Sequence, residues 1–417
     1  MKKKNTNRKH IITRSATILA ALCLCLPGAG CSKYIAELLF PEITSMEVFS
    51  ESPYSPSSEK NSSAPYTATP TGIESLSYDH EMPIVHNDAE FNILMQYHLD
   101  GRSDYFEFYA DDGYTIDNDL LLYRFSLPYV YTSSVVMDNN REFWNVSISY
   151  YPGTKIADAY INNDYIDLNE DERQTFEIAL DYVRNYVNPE PDPVKKERLI
   201  HDFICASTTY TNPSSNENIP RHCTAVGLLL DGKANCQGYT DCFYMMGTMA
   251  GLNVDKQSGS AEGNLHVWNI IELDDKWYSL DITYDDTTFF ADGSGYPAYI
   301  YFNSANDILL RTHSVPKDNE LIPIESTSDE YYFYYSPLFD LVGYAADDTV
   351  AKKEIAALLE DCYQKGEPYV SYMLDGYDLQ AADIVDEIKS YIPGDPGRIT
   401  ITTYQVQNTT YFLGEPH

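Results

Sequence analysis

Two neighbouring stretches decide the fold of this chain: 231-DGKANCQGYTDCFYMMGTMAGL-252 and 266-HVWNIIELDDKWYSLDIT-283. In the first, apolar and aromatic residues recur from Cys236 onward at the i, i+3, i+4 and i+7 spacings of a helix. Asn235 is suited to cap this helix and Gly251 to end it. The pattern therefore predicts an amphipathic helix with Cys236 in its first turn.

A cysteine in the first turn of a helix has two interpretations. A helix N-terminus carries partial positive charge and unpaired N–H groups, which favour a reactive thiolate and could hold a developing oxyanion. Often, however, such a cysteine is only a small buried residue. We expect Gly238 to let a substrate backbone come close, and Cys242, on the apolar face, to be part of the core.

The second stretch alternates apolar and polar residues on both sides of Asp274 and Asp275. This predicts a β-hairpin that turns at the two aspartates. In that register Trp268 faces Asp281, and His266 becomes a diagonal neighbour of Asp281 at about 7–8 Å between Cα atoms. A slip by one residue would lose both the apolar face and this pair. A solvated histidine and aspartate on an ordinary hairpin is the alternative.

The three residues fit the chemistry of an activated nucleophile. Cys236 would attack an acyl carbon, and His266 would take and return the proton. Asp281 would fix the tautomer of the imidazole and stabilise its charged form.

These motifs resemble the transglutaminase-like superfamily, over roughly residues 170 to 315. The family pattern has a Gly-x-Cys-x-Gly-Tyr/Phe-Ala type helix start, then His-Ala-Trp, then Trp-Tyr-x-x-Asp-Pro-Thr. The matching positions are Cys236, Gly238, Tyr239, His266, Trp268, Asn269, Trp277, Tyr278, Asp281 and Thr283. The departures are Asn235, Thr240, Val267 and Ile282, where Val, Ala, Ala and Pro are usual.

The resemblance implies a central papain-like α+β domain with a catalytic triad of Cys236, His266 and Asp281. Members of the superfamily include acyl transferases, peptidases, de-amidating or deglycosylating enzymes, and inactive domains. The alternative to an enzyme is therefore a non-catalytic binding or assembly module, which an occluded cysteine would favour. The predicted substrate-binding residues are Trp268, Tyr210 and Gln237. No cofactor and no metal is predicted.

The N-terminus predicts export. Six basic residues and no acidic residue occupy positions 1–14, an apolar run follows at 16–26, and Gly-Ala-Gly precedes Cys31. About 11 apolar residues are too few to span a bilayer, so the segment is interpreted as a signal peptide. The small residues before Cys31 resemble a bacterial lipoprotein box, which implies a lipid anchor on Cys31. Ordinary cleavage and release is the alternative.

Charge limits the partners. The chain contains 63 acidic and 28 basic residues, a net charge of −35. This argues against binding to nucleic acid or to an anionic membrane surface. The predicted partners are a protein or peptide substrate at the cell envelope and, through Cys31, the membrane itself.

Other cysteines and histidines leave further alternatives. Cys205 and Cys223 could form a disulfide. The set of Cys223, Cys236, Cys242 and His266 matches no standard zinc spacing. His201 is interpreted as a packing or surface residue, and His222 and His313 as weak competitors of His266 for the role of general base.

Composition divides the chain into five parts. Residues 1–31 are the signal peptide, 32–81 a Ser/Pro-rich tether, 82–168 an N-terminal α+β domain, 169–324 the transglutaminase-like domain and 325–417 a C-terminal α+β domain. The order of elements in the last part loosely repeats that of residues 85–152, which suggests a duplicated flanking domain.

Overall fold

The computed structural model of the chain describes residues 73–111, 113–114, 116, 128–138, 141–212, 220–286, 299, 301–315, 324–327, 342–343, 348–365, 370–375, 386, 389–391, 399–406 and 409–416. The predicted signal peptide, its Cys31 and most of the predicted tether lie outside these residues. Within the described ranges, no helix has both the length and the apolar character needed to cross a membrane. The α+β class is confirmed by the mixture of helices and mainly antiparallel sheets.

The N-terminal part is a five-stranded sheet with one helix. A 3₁₀ turn at Ile73–Ser75 precedes β1 (Ser77–Asp79), β2 (Met82–Val85), α1 (Asp88–Asp100), β3 (Tyr105–Ala110), β4 (Pro128–Asp138) and β5 (Arg141–Tyr150), with strand order β1-β2-β3-β5-β4. Because β1 pairs with β2, the folded structure begins before residue 82, and the predicted end of the tether is wrong. Aromatic and aliphatic side chains, among them Phe91, Phe108 and Trp144, form its core.

The central part begins with helices that pack around a buried one. They are α2 (Pro152–Asn162), α3 (Glu170–Tyr182, continued by a π turn at Val183–Val187), α4 (Pro193–Ser207), α5 (Ala225–Asp231, after a 3₁₀ turn at Arg221–Cys223) and α6 (Cys236–Met249). The sequence also predicts helices near 170–187, 194–206 and 222–233, and these correspond to α3, α4 and α5. Short strands β6 (Thr209–Tyr210) and β7 (Lys233–Ala234) pair in parallel directly before α6.

A second sheet, in the order β10-β9-β8-β11, packs against α6. Its strands are β8 (Asn253–Ala261), β9 (Asn264–Leu273), β10 (Lys276–Leu280) and β11 (His313–Ser314), with short helices α7 (Ile282–Asp285) and α8 (Asn306–Leu309) between the last two. The predicted hairpin register is confirmed, since Leu273 pairs with Lys276 and Leu280 with Asn269. Asp274 and Asp275 both have positive φ, at 50° and 64°, as the tight turn requires.

One apolar core joins these helices to this sheet. It contains side chains from α2 and from the segment after it, including Ile156 and Leu168, together with those of α3 to α6 and β8 to β10. The core of the N-terminal sheet, in contrast, draws on residues 76–150. The packing therefore places α2 with the central part, whereas the sequence assigned it to the N-terminal domain.

The C-terminal sheet repeats the topology of the N-terminal one. It contains β12 (Val342–Gly343), α9 (Asp348–Lys365), β13 (Val370–Asp375), β14 (Ile399–Val406) and β15 (Thr409–Pro416), in the order β12-β13-β15-β14. The pair β12–β13 is parallel and the other two pairs are antiparallel, as for β2-β3-β5-β4. This shared order supports duplication. The strand predicted over 328–337 lies outside the described residues.

A buried ion pair holds α6 against its neighbours. Lys256 of β8 lies 3.0 Å from Asp241 Oδ1, and both side chains are 1% exposed. Asp241 Oδ2 accepts hydrogen bonds of 2.9 Å from the backbone N–H groups of Gly153 and Ala225. The carboxylate therefore connects α6 to the starts of α2 and α5 and to the sheet.

Gly238 permits close packing of α6, and we predict that its replacement by alanine destabilises the protein. A Cβ at this position would lie 2.7 Å from His222 O and 2.8 Å from the Ala234 Cβ. The glycine thus faces the protein interior and not, as expected from the sequence, an approaching substrate. Gly238→Ala should lower the free energy of unfolding by about 1–3 kcal/mol in urea denaturation. Gly101→Ala is the control, because its Cβ would meet nothing closer than 3.4 Å; equal effects of the two changes would refute the packing argument.

Candidate active site

Cys236 is the first residue of α6 and is partly exposed, with a free thiol. Asn235 caps the helix as predicted: its side-chain oxygen accepts hydrogen bonds from the N–H groups of Gln237 at 3.1 Å and Gly238 at 3.3 Å. Because the cap occupies these two donors, an oxyanion would have to use the N–H of Cys236 itself or a side-chain donor. The helix start thus supplies one main-chain donor beside the sulfur, fewer than the sequence suggested.

Polar contacts between α6 and β9 bring His266 to the cysteine. The Thr240 hydroxyl donates to Val267 O at 3.2 Å, and the Asn269 amide donates to Thr240 O at 3.1 Å. These bonds fix the second turn of α6 against the middle of β9. His266 is consequently close enough to Cys236 for the cysteine to raise the pKa of the imidazole.

His266 and Asp281 form a short hydrogen bond. The Nε2 atom of His266 lies 2.6 Å from Oδ2 of Asp281, and the two side chains are 7% and 1% exposed. Since the ionised carboxylate can only accept, Nε2 carries the proton, and Nδ1 is the ring nitrogen left for other contacts. The pairing of the histidine with this aspartate is as predicted.

The position of Asp281 in the backbone is not as predicted. Strand β10 ends at Leu280, which pairs with Asn269, so Asp281 does not pair with Trp268 in the sheet. Asp281 instead caps α7, its Oδ1 accepting from Tyr284 N at 3.2 Å. An aspartate favours such a cap because its oxygen satisfies an N–H group that a helix start leaves unpaired.

The local charges keep both members of the pair ionised. Burial opposes a charge on His266, but the charge and hydrogen bond of Asp281, together with Cys236, raise the pKa of His266 to about 10. Burial likewise opposes ionisation of Asp281, but His266 and His313 hold the pKa of this carboxyl well below its usual range. An imidazolium is therefore favoured next to the cysteine.

His313 also belongs to the site, and the sequence prediction missed this. Its Nε2 atom lies 2.9 Å from Oδ2 of Asp281, the same oxygen that His266 contacts. His313 follows His266 by 47 positions and reaches it through β11, which pairs with β8. Only the sheet order brings these histidines together, so no local sequence pattern signals the contact.

Among the described residues, one group has the spacing of possible metal ligands, and it is these three side chains. The ligand atoms of His266, Asp281 and His313 lie within 4.8 Å of one another. A tetrahedral zinc ion at about 2.0–2.1 Å from each ligand would separate the ligand atoms by about 3.3 Å. The observed N···O distances of 2.6 and 2.9 Å are shorter, so the arrangement fits hydrogen bonds.

The predicted substrate-binding residues lie at different depths. Tyr210 is half-buried and pairs with Ala234, two residues before Cys236. Its pKa is raised by burial and then by the nearby Cys236 and Asp281. Gln237 is also half-buried, at the start of α6. Trp268 is only 1% exposed, and its ring stacks on that of His266 with centroids 5.9 Å apart. It therefore packs against the histidine ring from the protein interior.

The disulfide between Cys205 and Cys223 that the sequence left open is not formed, because both thiols are free. Cys205 is buried in the helical core, while the Cys223 sulfur accepts a hydrogen bond from the Asn235 amide at 3.2 Å. Cys242 is fully buried, as predicted for a core residue. Cys236 is thus the one partly exposed thiol among the four cysteines described.

The model of the transglutaminase-like superfamily matches residues 180–282, which include Cys236, His266 and Asp281. The central part is a transglutaminase-like domain. His313 lies beyond the matched residues, which cover about a quarter of the chain.

Several solved structures are similar to parts of this chain, at low overall similarity. One is a TGase with 16% identity and a TM-score of 0.25, covering 50% of this chain and 63% of that one. Another is a candidate cysteine protease of Cytophaga hutchinsonii, with 10% identity, a TM-score of 0.22 and coverage of 37% and 62%. The periplasmic domain of TgpA from Pseudomonas aeruginosa has 15% identity, a TM-score of 0.23 and coverage of 38% and 66%. The chain thus spans just under two thirds of the first two structures. A search of curated proteins found no significant match.

The transglutaminase-like domain contains a second buried polar cluster, which contacts α7. His201 is fully buried, not on the surface; its Nδ1 lies 2.9 Å from Asp202 and its Nε2 3.4 Å from Asp285 of α7. One turn earlier on α4, the buried Glu197 accepts a 3.0 Å hydrogen bond from the Asn303 amide. This cluster joins α4 to the short helix that Asp281 caps.

Loss of protons from His201 and Glu197 should make the protein less stable as pH rises. Burial opposes the charge of His201, but Asp202 and Asp285 raise its pKa to about 9. The charged His201 therefore contributes its full stabilisation of the fold below about pH 6.5, and this contribution is lost as the pH passes 9. Burial raises the pKa of Glu197 to about 8. Because the buried carboxyl resists ionisation, the free energy of unfolding falls as the pH rises from about 4.5 to 8. Urea denaturation should show a loss of roughly 2–4 kcal/mol between pH 5 and 9. Glu197→Gln should reduce this loss; an unchanged pH dependence would contradict the assignment.

Proposed function

We propose that the transglutaminase-like domain is a cysteine enzyme that performs acyl transfer or hydrolysis on peptide or side-chain amides. The observation that carries this proposal is the buried hydrogen bond of His266 to Asp281 beside a partly exposed Cys236 at the start of α6. A thiolate beside an imidazolium at a helix start is the arrangement that activates a sulfur nucleophile.

The proposed reaction proceeds in two steps. The Cys236 sulfur attacks the amide carbon, and His266 gives its Nδ1 proton to the departing amine, which leaves a thioester and a neutral imidazole. Water or a second amine then attacks the thioester, and its proton passes to His266 as the sulfur leaves. Asp281 stays ionised throughout and keeps the histidine proton on Nε2.

The surroundings of the sulfur support a peptide or protein substrate. Tyr210 and Gln237 are half-buried at the start of α6, where they can contact an acyl group that has reached Cys236. The buried Trp268 ring stacks on the His266 ring and excludes water from that face of the imidazole. We propose Tyr210 and Gln237 as substrate-contacting residues and Trp268 as support for His266.

We also propose that the protein acts outside the cytoplasm. The basic and apolar run of residues 1–26, followed by Gly-Ala-Gly-Cys31, supports export and a lipid anchor on Cys31. The net charge of −35 suits an exported protein and disfavours nucleic acid as a partner. Of the two alternatives, the partial exposure of Cys236 favours an enzyme over a non-catalytic module.

The test is a product analysis with the purified protein. Glutamine-containing peptides would be incubated with and without a fluorescent primary amine, and ammonia, incorporated amine and peptide fragments would be measured. We expect at least one product with the unaltered protein, none with Cys236→Ala, and full activity with Cys362→Ala as the matched thiol control. Equal product from the Cys236→Ala protein would overturn the proposal.

A further inference from the structure

His313 lies next to His266 at the Asp281 carboxylate, with the two ring centroids 5.4 Å apart. Its side chain is fully buried, and its Nε2 shares the oxygen Oδ2 with His266 at 2.9 and 2.6 Å. The rings of Trp268 and Tyr301 surround it with centroids 5.0 and 5.1 Å away. The aromatic rings limit its rotation, so the ring can serve as a rigid donor.

The other ring nitrogen of His313 contacts a hydroxyl group. Its Nδ1 lies 2.9 Å from the Thr312 hydroxyl, which lies 2.8 Å from the Tyr301 hydroxyl and 3.5 Å from Leu309 O. When Thr312 donates to Nδ1 and Tyr301 donates to Thr312, the ring proton stays on Nε2. This pattern of hydrogen bonds favours the tautomer of His313 that donates to Asp281.

The carboxylate is therefore held by three donors from three elements. Oδ2 accepts from His266 of β9 and His313 of β11, and Oδ1 accepts from Tyr284 N of α7. Without His313, a carboxylate that is 1% exposed would have one donor fewer and could turn away from His266. A ring that only filled space would not need the Nε2 contact or the Thr312 hydroxyl.

We propose that His313 is a positioning residue of this site: its Nε2–H holds the Asp281 carboxylate in the orientation that pairs it with His266. The inference rests on the proposed function, because it concerns the same cysteine and histidine. His313 acts through Asp281, whose Oδ2 lies 2.9 Å from its Nε2. The second histidine thereby links the edge strand β11 to the reactivity of Cys236.

The test measures the rate at which iodoacetamide alkylates Cys236 at about pH 6, by peptide mass spectrometry of the whole protein. His313→Met removes the donor and should slow alkylation about 30-fold, because a small misplacement of a catalytic group has effects of this size. His313→Gln restores an N–H at a similar reach and should recover the rate to within about fivefold of the unaltered protein. His80→Met, at a histidine with a 99% exposed side chain, is the control.

A second variant covers the case in which His313→Met does not fold. Thr312→Val keeps the shape but removes the hydroxyl that fixes the tautomer, and it should slow alkylation about threefold. Full reactivity of His313→Met, equal slowing by His313→Gln and His313→Met, or an unchanged rate in a folded Thr312→Val protein would each overturn the inference. If the unaltered protein reacts no faster than His266→Ala, the proposed function fails, and this inference with it.

Discussion

Exchange of Asp281 for asparagine should slow the reaction of Cys236 with p-nitrophenyl acetate by about 10³-fold or more. The carboxylate accepts from His266, His313 and the N–H of Tyr284, so all three neighbours are donors. An asparagine must turn its NH₂ group toward one of them, and its neutral amide cannot stabilise the imidazolium of His266. The change therefore removes both the orientation and the charge that activate the sulfur.

The same substitution should also cost about 1–3 kcal/mol in the free energy of unfolding, because a buried donor is left without an acceptor. Asp274→Asn is the matched control, since this aspartate is exposed in the β9–β10 turn at a positive φ that asparagine tolerates. A burst of nitrophenol and its steady rate would be measured for both variants. An Asp281→Asn protein with a tenth or more of the original rate would show that the aspartate is dispensable.

The largest loss of stability is expected for Asp241→Ala. The substitution leaves the ammonium of Lys256 buried without its acid, and it removes the acceptor of the Gly153 and Ala225 N–H groups. Breaking one side of a buried ion pair typically costs about 3–5 kcal/mol. Urea denaturation followed by circular dichroism measures this difference.

Two further variants show whether the cost comes from the unpaired charge. Adding Lys256→Met to Asp241→Ala should recover part of the lost stability, because no isolated ammonium then remains. Asp79→Ala breaks the Arg141–Asp79 pair, whose side chains are 36% and 47% exposed, and should change stability by less than about 1 kcal/mol. Similar losses for Asp79→Ala and Asp241→Ala would contradict the assignment.

Local patterns were sufficient to predict the elements that carry Cys236 and His266. The capped helix and the hairpin register both depend on spacing within about 20 residues, and the structure confirms both. The two aspartates of the turn gave the register, because a two-residue hairpin loop needs positive φ at both positions. The pairing of His266 with Asp281 follows from that register, even though β10 ends at Leu280, one residue before Asp281.

Contacts between distant segments were not predictable in the same way. Strand β8 joins His266 to the edge strand of His313, yet the alternation of apolar residues in 253–261 is too weak to identify it. Strand β10 does not continue through Asp281, because the Asp281 side chain instead caps α7 and satisfies the backbone N–H group of Tyr284. The contacts of His313 and of the Asp241–Lys256 pair depend on tertiary packing. Asp241 is the one charged residue in α6, which is the only local sign of a buried ion pair.

The central claim is that Cys236 and His266 act as one ionised pair. The most direct measurement is the rate of iodoacetamide alkylation of Cys236 from pH 5 to 10, in the unaltered protein and in His266→Ala. With the imidazolium maintained by Asp281, we expect fast alkylation already near pH 6 and a loss of about 100-fold at that pH in the variant. Equal rates in the two proteins across this range would contradict the account.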